Sequence, residues 1–79
     1  MKLPRDLTGR ELARRLARLG YQVDRQTGSP LRLTTLRGGE HHVTIPLHRT
    51  LKPGTLNAIL RDVAAHHGLE REALLRELG

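Results

Sequence analysis

The sequence predicts an α+β fold of the α-β-β-β-α type: a three-stranded antiparallel sheet with helices on one face, plus a short C-terminal helix. Three observations lead there. Apolar residues recur at helical spacing near both ends of the chain. They alternate with polar residues between positions 21 and 45. The two connections inside that alternating stretch are short and contain glycine. With 79 residues, one domain spanning 1–79 is expected. A chain of this size buries only about 60% of the surface that its unfolded form exposes. No cysteine is available to supplement the core, which also excludes thiol chemistry and thiolate metal sites. Phe and Trp are absent and Tyr21 is the one aromatic residue, so leucine must carry the packing.

The first helix opens at Thr8-Gly9-Arg10-Glu11, a capping box with Thr8 as the cap and Glu11 three positions on. Leu12, Leu16 and Leu19 form its apolar stripe, Arg14, Arg15 and Arg18 lie away from that stripe, and Gly20 ends it. Glu11 and Arg15 are spaced for an ion pair worth about 0.3 kcal/mol. The period then changes to two. Tyr21 and Val23, Leu31 and Leu33, and Val43 and Ile45 each alternate with polar residues, giving three strands with one apolar face. Thr27-Gly28-Ser29-Pro30 makes the first turn. Arg37-Gly38-Gly39-Glu40 makes a tight second one. Pro46 ends the third strand and Leu47 to Pro53 reads as a polar loop. A second helix places Leu56, Ile59, Leu60 and Val63 on one stripe and closes at Gly68. Leu69 to Leu78 gives the short third helix. This order is that of double-stranded-RNA-binding domains, although fold alone does not fix function.

Twelve arginines and two lysines against eight acids give a net charge of +6, which favours a polyanionic partner. The lack of aromatic rings argues against a base-stacking platform. No apolar run reaches the length of a membrane span and no leader-like segment opens the chain, so a soluble cytoplasmic protein is expected.

Several stretches, in order, resemble the HicA toxins of type II toxin–antitoxin modules. They are Lys2-Leu3-Pro4-Arg5, Leu12 and Leu16 to Gly20-Tyr21, Arg25-Gln26-Thr27-Gly28-Ser29, and His41-His42-Val43-Thr44-Ile45-Pro46 with His48. Leu51-Lys52-Pro53-Gly54-Thr55-Leu56 with Ile59-Leu60 completes the set. The resemblance implies an mRNA-cleaving endoribonuclease (an mRNA interferase) that needs no metal or other cofactor. Its partners would be mRNA and a HicB-like antitoxin, through which alone it would oligomerise. It also implies a catalytic histidine directly after the Gly-Ser pair. Here Gly28-Ser29 is followed by Pro30. Proline carries no titratable group and no backbone donor, so it cannot move the proton. General acid–base help of that kind is typically worth about 10²–10⁴-fold. Weakened or lost activity follows, and the alternative is a non-catalytic module that binds RNA or the antitoxin.

The candidate catalytic positions are therefore Pro30 itself, its neighbour Ser29, and His42 as a substitute base. His42 shares strand parity with Thr44 and should be exposed. The candidate RNA contacts are Gly28, Ser29, Arg25, Arg32, Arg49, Lys52, Gly54 and Thr55. The last three open the second helix, where Pro53 suits the first turn and outward amides suit an anion. His41, of opposite parity, leans inward. Adjacent strand histidines diverge and the usual zinc ligand set is missing, so no metal site is expected. His66 and His67 end a helix, where a cation would complement its dipole. Arg14, Arg15 and Arg18 would face either RNA or an acidic antitoxin.

Overall fold

The structure is a computed structural model that describes residues 6–25, 30–47 and 50–79, Arg25 as backbone only. The elements run α1 (Gly9–Leu16) with a 3₁₀ turn (Ala17–Leu19), β1 (Gln22–Arg25), β2 (Leu31–Thr35), β3 (His41–Ile45), α2 (Pro53–His67) and α3 (Arg71–Leu78). The strands form one antiparallel sheet in the order β1-β2-β3. Leu31, Leu33, Thr35, Val43 and Ile45 point to the inner face. There they join Leu12 and Leu16 of α1, Ile59, Leu60 and Val63 of α2, and Leu74 and Leu78 of α3 in one core. The opposite face carries Arg32, Thr34, His42 and Thr44 and lacks a covering layer among the described residues. The period-two pattern thus produced the expected sheet with its helices on one side.

The caps follow from the residues named. Thr8 Oγ1 accepts the Glu11 amide at 3.1 Å, which satisfies one of the open donors of the first turn. The chain leaves the 3₁₀ turn through Gly20 at φ 87°, a left-handed conformation that favours glycine. The second turn is built the same way, with Gly38 at φ 72° and Gly39 at φ 106°. Between them, Thr35 is buried as the middle of a relay. Its hydroxyl donates to the Leu19 carbonyl at 3.0 Å and accepts the Arg37 amide at 3.1 Å, tying the end of α1 to the hairpin.

Four sequence expectations need correction. Val23 was expected to face inward beside Tyr21, but it is 37% exposed. It lies on an edge strand next to an irregularity between Val23 and Arg25, and the small Ala13 of α1 and Ala17 of the 3₁₀ turn do not cover it. The segment after β3 is not merely polar. Leu51 is buried, its amide bonds the Leu7 carbonyl at 2.8 Å, and Thr50 bridges Thr8. The Glu11–Arg15 ion pair is absent among the described residues. Arg15 instead donates to the Leu78 carbonyl at 2.9 Å, where the C-terminus of α3 offers a free carbonyl and a negative dipole end. Finally, α3 begins at Arg71, two residues later than the apolar pattern implies.

Candidate functional site

Position 30 sits at the end of the sheet remote from the β2–β3 hairpin. Pro30 is exposed and immediately precedes β2, whose Leu31 pairs with Ile45. Pro30 and Pro46 therefore flank the last rung of the β2–β3 ladder. The start of α1 rests on the same spot: a Cβ at Gly9 would run into the Pro46 carbonyl oxygen, so only glycine allows this approach. From there the Thr8–Thr50 bridge and the Leu51–Leu7 hydrogen bond lead straight to Lys52, which caps α2. Position 30, the start of α1 and the start of α2 thus occupy one end of the molecule.

The start of α2 is open. Lys52 has extended backbone and makes no side-chain capping bond, Pro53 occupies the first turn, and that turn contains no acidic residue. Gly54 is exposed and Thr55 half-buried. The amides of a first helical turn have no partner within the helix, and here no side chain among the described residues caps them, so they present positive dipole character outward. Gly28, Ser29 and Arg49 lie outside the described residues, as does the side chain of Arg25. Arg32 stands on the outer sheet face, 60% exposed, with its Nε 3.5 Å from Asp24 Oδ2.

His42 is exposed, on the edge strand β3 rather than mid-sheet. Its Nδ1 lies 2.7 Å from Thr34 Oγ1 and its Nε2 2.7 Å from Glu40 Oε2, so both ring nitrogens are engaged. Asp24 accepts the Thr34 hydroxyl and lies 3.9 Å from His42 Nδ1. His42 pairs across from Thr34. Thr34 is four residues along β2 from Pro30, about 13 Å at a strand rise of about 3.3 Å per residue. The fold does not bring His42 and position 30 together.

A second group of histidines gathers at the hairpin end. His41 is 16% exposed; its Nδ1 meets the Tyr21 hydroxyl at 2.7 Å and its Nε2 lies 3.3 Å from Asp62 Oδ1. Its ring stacks on His66 with centroids 4.4 Å apart and an 11° tilt. His66 Nε2 donates to the Arg37 and Gly39 carbonyls, 3.1 Å from each, while His67 Nε2 lies 3.2 Å from the Tyr21 hydroxyl. Burial first, then the nearby Asp62 carboxylate, pushes the Tyr21 hydroxyl up to about 12. Burial also lowers the pKa of His67, helped by the charges of His66, His41 and Arg37. The sequence reading of His67 as a dipole-complementing cation is therefore corrected: its surroundings favour the neutral ring. The signals that could have found this cluster were the lone aromatic residue, the inward parity of His41, and the one-turn spacing of Asp62 and His66. Chemically it is a clasp that fastens the end of α2 to the hairpin. No group of three side chains suited to a metal ion exists among the described residues.

No curated protein and no solved structure matches the chain. A family model does: that of the HicA toxin of bacterial toxin–antitoxin systems, over residues 9–64. That span begins at the first residue of α1, takes in the whole sheet and ends within α2, so it covers position 30 and the start of α2 but stops short of His66 and His67 of the clasp. With most of its length and every strand of its sheet inside that match, the chain belongs to the HicA toxin family of type II toxin–antitoxin systems.

Proposed function

We propose that this chain is an RNA-directed toxin, an mRNA endoribonuclease scaffold whose proton-transfer position is filled by Pro30. It works in the cytoplasm as one domain over residues 1–79, without metal or cofactor, and is restrained by a HicB-like antitoxin. The observation that carries the reading is the shared end of the molecule. Exposed Pro30 leads into β2 at the end of the molecule where α2 also starts, with no side-chain bond from its capping residue Lys52 and no acid in its first turn. RNA phosphate would be held by the Gly54 and Thr55 amides and Lys52, with Gly28, Ser29, Arg25, Arg32 and Arg49 adding donors and charge. In the cleavage step the ribose 2′-oxygen attacks phosphorus, the 5′-oxygen leaves, and a cyclic phosphate end remains. Two proton transfers accompany it, one from the 2′-hydroxyl and one to the leaving oxygen. An imidazole at position 30 would perform one of them; a pyrrolidine ring cannot. Ser29 would assist through its hydroxyl. His42 as a substitute base is a weaker proposal, because its ring nitrogens are engaged and it lies about 13 Å along the sheet.

The second reading, a module that binds RNA or antitoxin without cutting, is favoured by Pro30 itself. The +6 charge supports RNA binding in both. The test is a pair of measurements on one single-stranded RNA in EDTA. Affinity is followed against salt, and cleavage is followed over hours. The expected result is binding whose logarithm falls linearly with log salt, with slow or absent cleavage. A salt-independent affinity, or no binding, would remove RNA from the account.

A further inference from the structure

A groove lies between α1 and the edge strand β1, and Arg10, Leu31 and Leu47 carry it to the position-30 end. Its volume is about 570 Å³, within the range of roughly 300–1,000 Å³ that binding sites use. The groove exists because Ala13 of α1 and Ala17 of the 3₁₀ turn stand there, and their small side chains leave β1 uncovered. Its floor is apolar and buried, with Leu31 and Leu33 at the bottom and half-exposed Val23 at the rim. Along the other rim stand Arg10 and Arg14. Neither has an ion-pair partner among the described residues. The outer edge of β1 pairs with no other strand among the described residues.

We infer that this groove is a docking surface for an extended acidic segment of the antitoxin, which adds to the free edge of β1. The inference rests on the family reading, which supplies an antitoxin partner. Charge chooses the occupant. A second copy of this chain carries +6, and its own opening residues include Lys2 and Arg5, so both have the wrong sign. Geometry agrees. Cations four residues apart on a helix are about 6 Å apart along its axis, and alternate residues of a strand are about 6.6 Å apart. Carboxylates two positions apart on a strand laid beside β1 would therefore meet Arg10 and Arg14 in turn. The side chains between them would turn toward Val23 and the leucine floor, the usual division of labour in strand addition. RNA phosphates would also satisfy the arginines, but they would leave the apolar floor and the strand edge unused. Among the residues lining the groove, the buried Tyr21 carries the one aromatic ring.

The test uses the full chain and the purified antitoxin encoded beside it, with titration calorimetry as the readout. Three variants are compared with the parent: Arg10→Glu/Arg14→Glu, Val23→Lys, and the control Arg61→Glu/Arg76→Glu. The control makes the same change in net charge on α2 and α3. The expected result is about a tenfold or greater loss of affinity for the two groove variants and no change for the control. In the unmodified complex, the amides of residues 22–24 should gain protection from hydrogen exchange. Melting curves check that each variant folds. If the arginine double variant does not, Val23→Lys and the exchange data decide. Parent-like binding by the groove variants, or no new protection on β1, overturns the proposal. A loss of affinity confined to a 20-nucleotide single-stranded RNA overturns it in favour of an RNA groove. Failure of the parent chain to bind the antitoxin at all is a different result. It removes the partner reading, and the docking surface falls with it.

Discussion

At the scale of single residues, Tyr21 shows how one side chain holds a fold with almost no aromatic content. Its ring is buried, and its hydroxyl lies between His41 Nδ1 and His67 Nε2. Tyr21→Phe keeps the ring and strips both contacts. The expected loss is about 1–3 kcal/mol, read by denaturant unfolding; an unchanged midpoint would show that solvent replaces the hydroxyl at no cost. The histidine beside it gives the cluster a pH signature. The folded-state pKa of His67 lies below its unfolded value, so acid makes the unfolded chain bind more protons than the folded one. Its contribution to stability is therefore present above the unfolded pKa of about 6.5 and is lost as pH falls through that value toward the folded pKa. Melting temperature should drop between pH 7.5 and 5, and His67→Gln should show a shallower drop. Parallel curves for parent and variant would remove His67 from the pH response. Tyr21 acts at the other extreme. With its pKa raised to about 12, its stabilisation is present below about pH 10 and declines as pH rises from there toward 12.

The elements themselves were legible in the sequence wherever a pattern was local. The capping box at Thr8, the leucine stripe of α1, the alternation in β2 and β3, and the glycine turn at Gly38-Gly39 all rest on neighbours a few residues apart, and all form. What escaped depends on partners far along the chain. Arg15 reaches the last turn of α3, Leu51 pairs with Leu7, and Val23 is exposed because α1 and the 3₁₀ turn happen to carry alanines opposite it. The same division holds for the candidate site. Pro30 and the start of α2 could be named from motif and helix chemistry, whereas the joining of Tyr21, His41, His66 and His67 had only scattered signals, since it brings β3 and the end of α2 onto the residue before β1. Two element-scale outcomes follow. Thr8→Ala removes the cap of α1 and should cost about 1 kcal/mol. For a domain of this size that is a fall of roughly 4–8 °C in Tm. Gly9→Ala should cost at least as much, about 1–3 kcal/mol, because the new methyl must displace the backbone of Pro46. If Gly9→Ala melts with the parent, the start of α1 is not packed as tightly on β3 as described.

Taken whole, the molecule is a thin cationic body, 29 × 27 × 17 Å, with different work assigned to its parts. One end gathers position 30 and the open start of α2, the other is closed by the histidine clasp, and the groove lies along α1. Among the described residues no helix is long and apolar enough to cross a membrane. On the proposed function, the architecture of a HicA toxin is present and one imidazole is what cleavage lacks. The most direct test is the rate of RNA cleavage in EDTA by Pro30→His compared with the parent. Position 30 is exposed, so the new ring need not disturb the core. The account expects a rise of about 10²-fold or more, with a bell-shaped or sigmoidal pH dependence near neutrality. A correctly folded Pro30→His protein that binds RNA as the parent does, yet cleaves no faster, would contradict it.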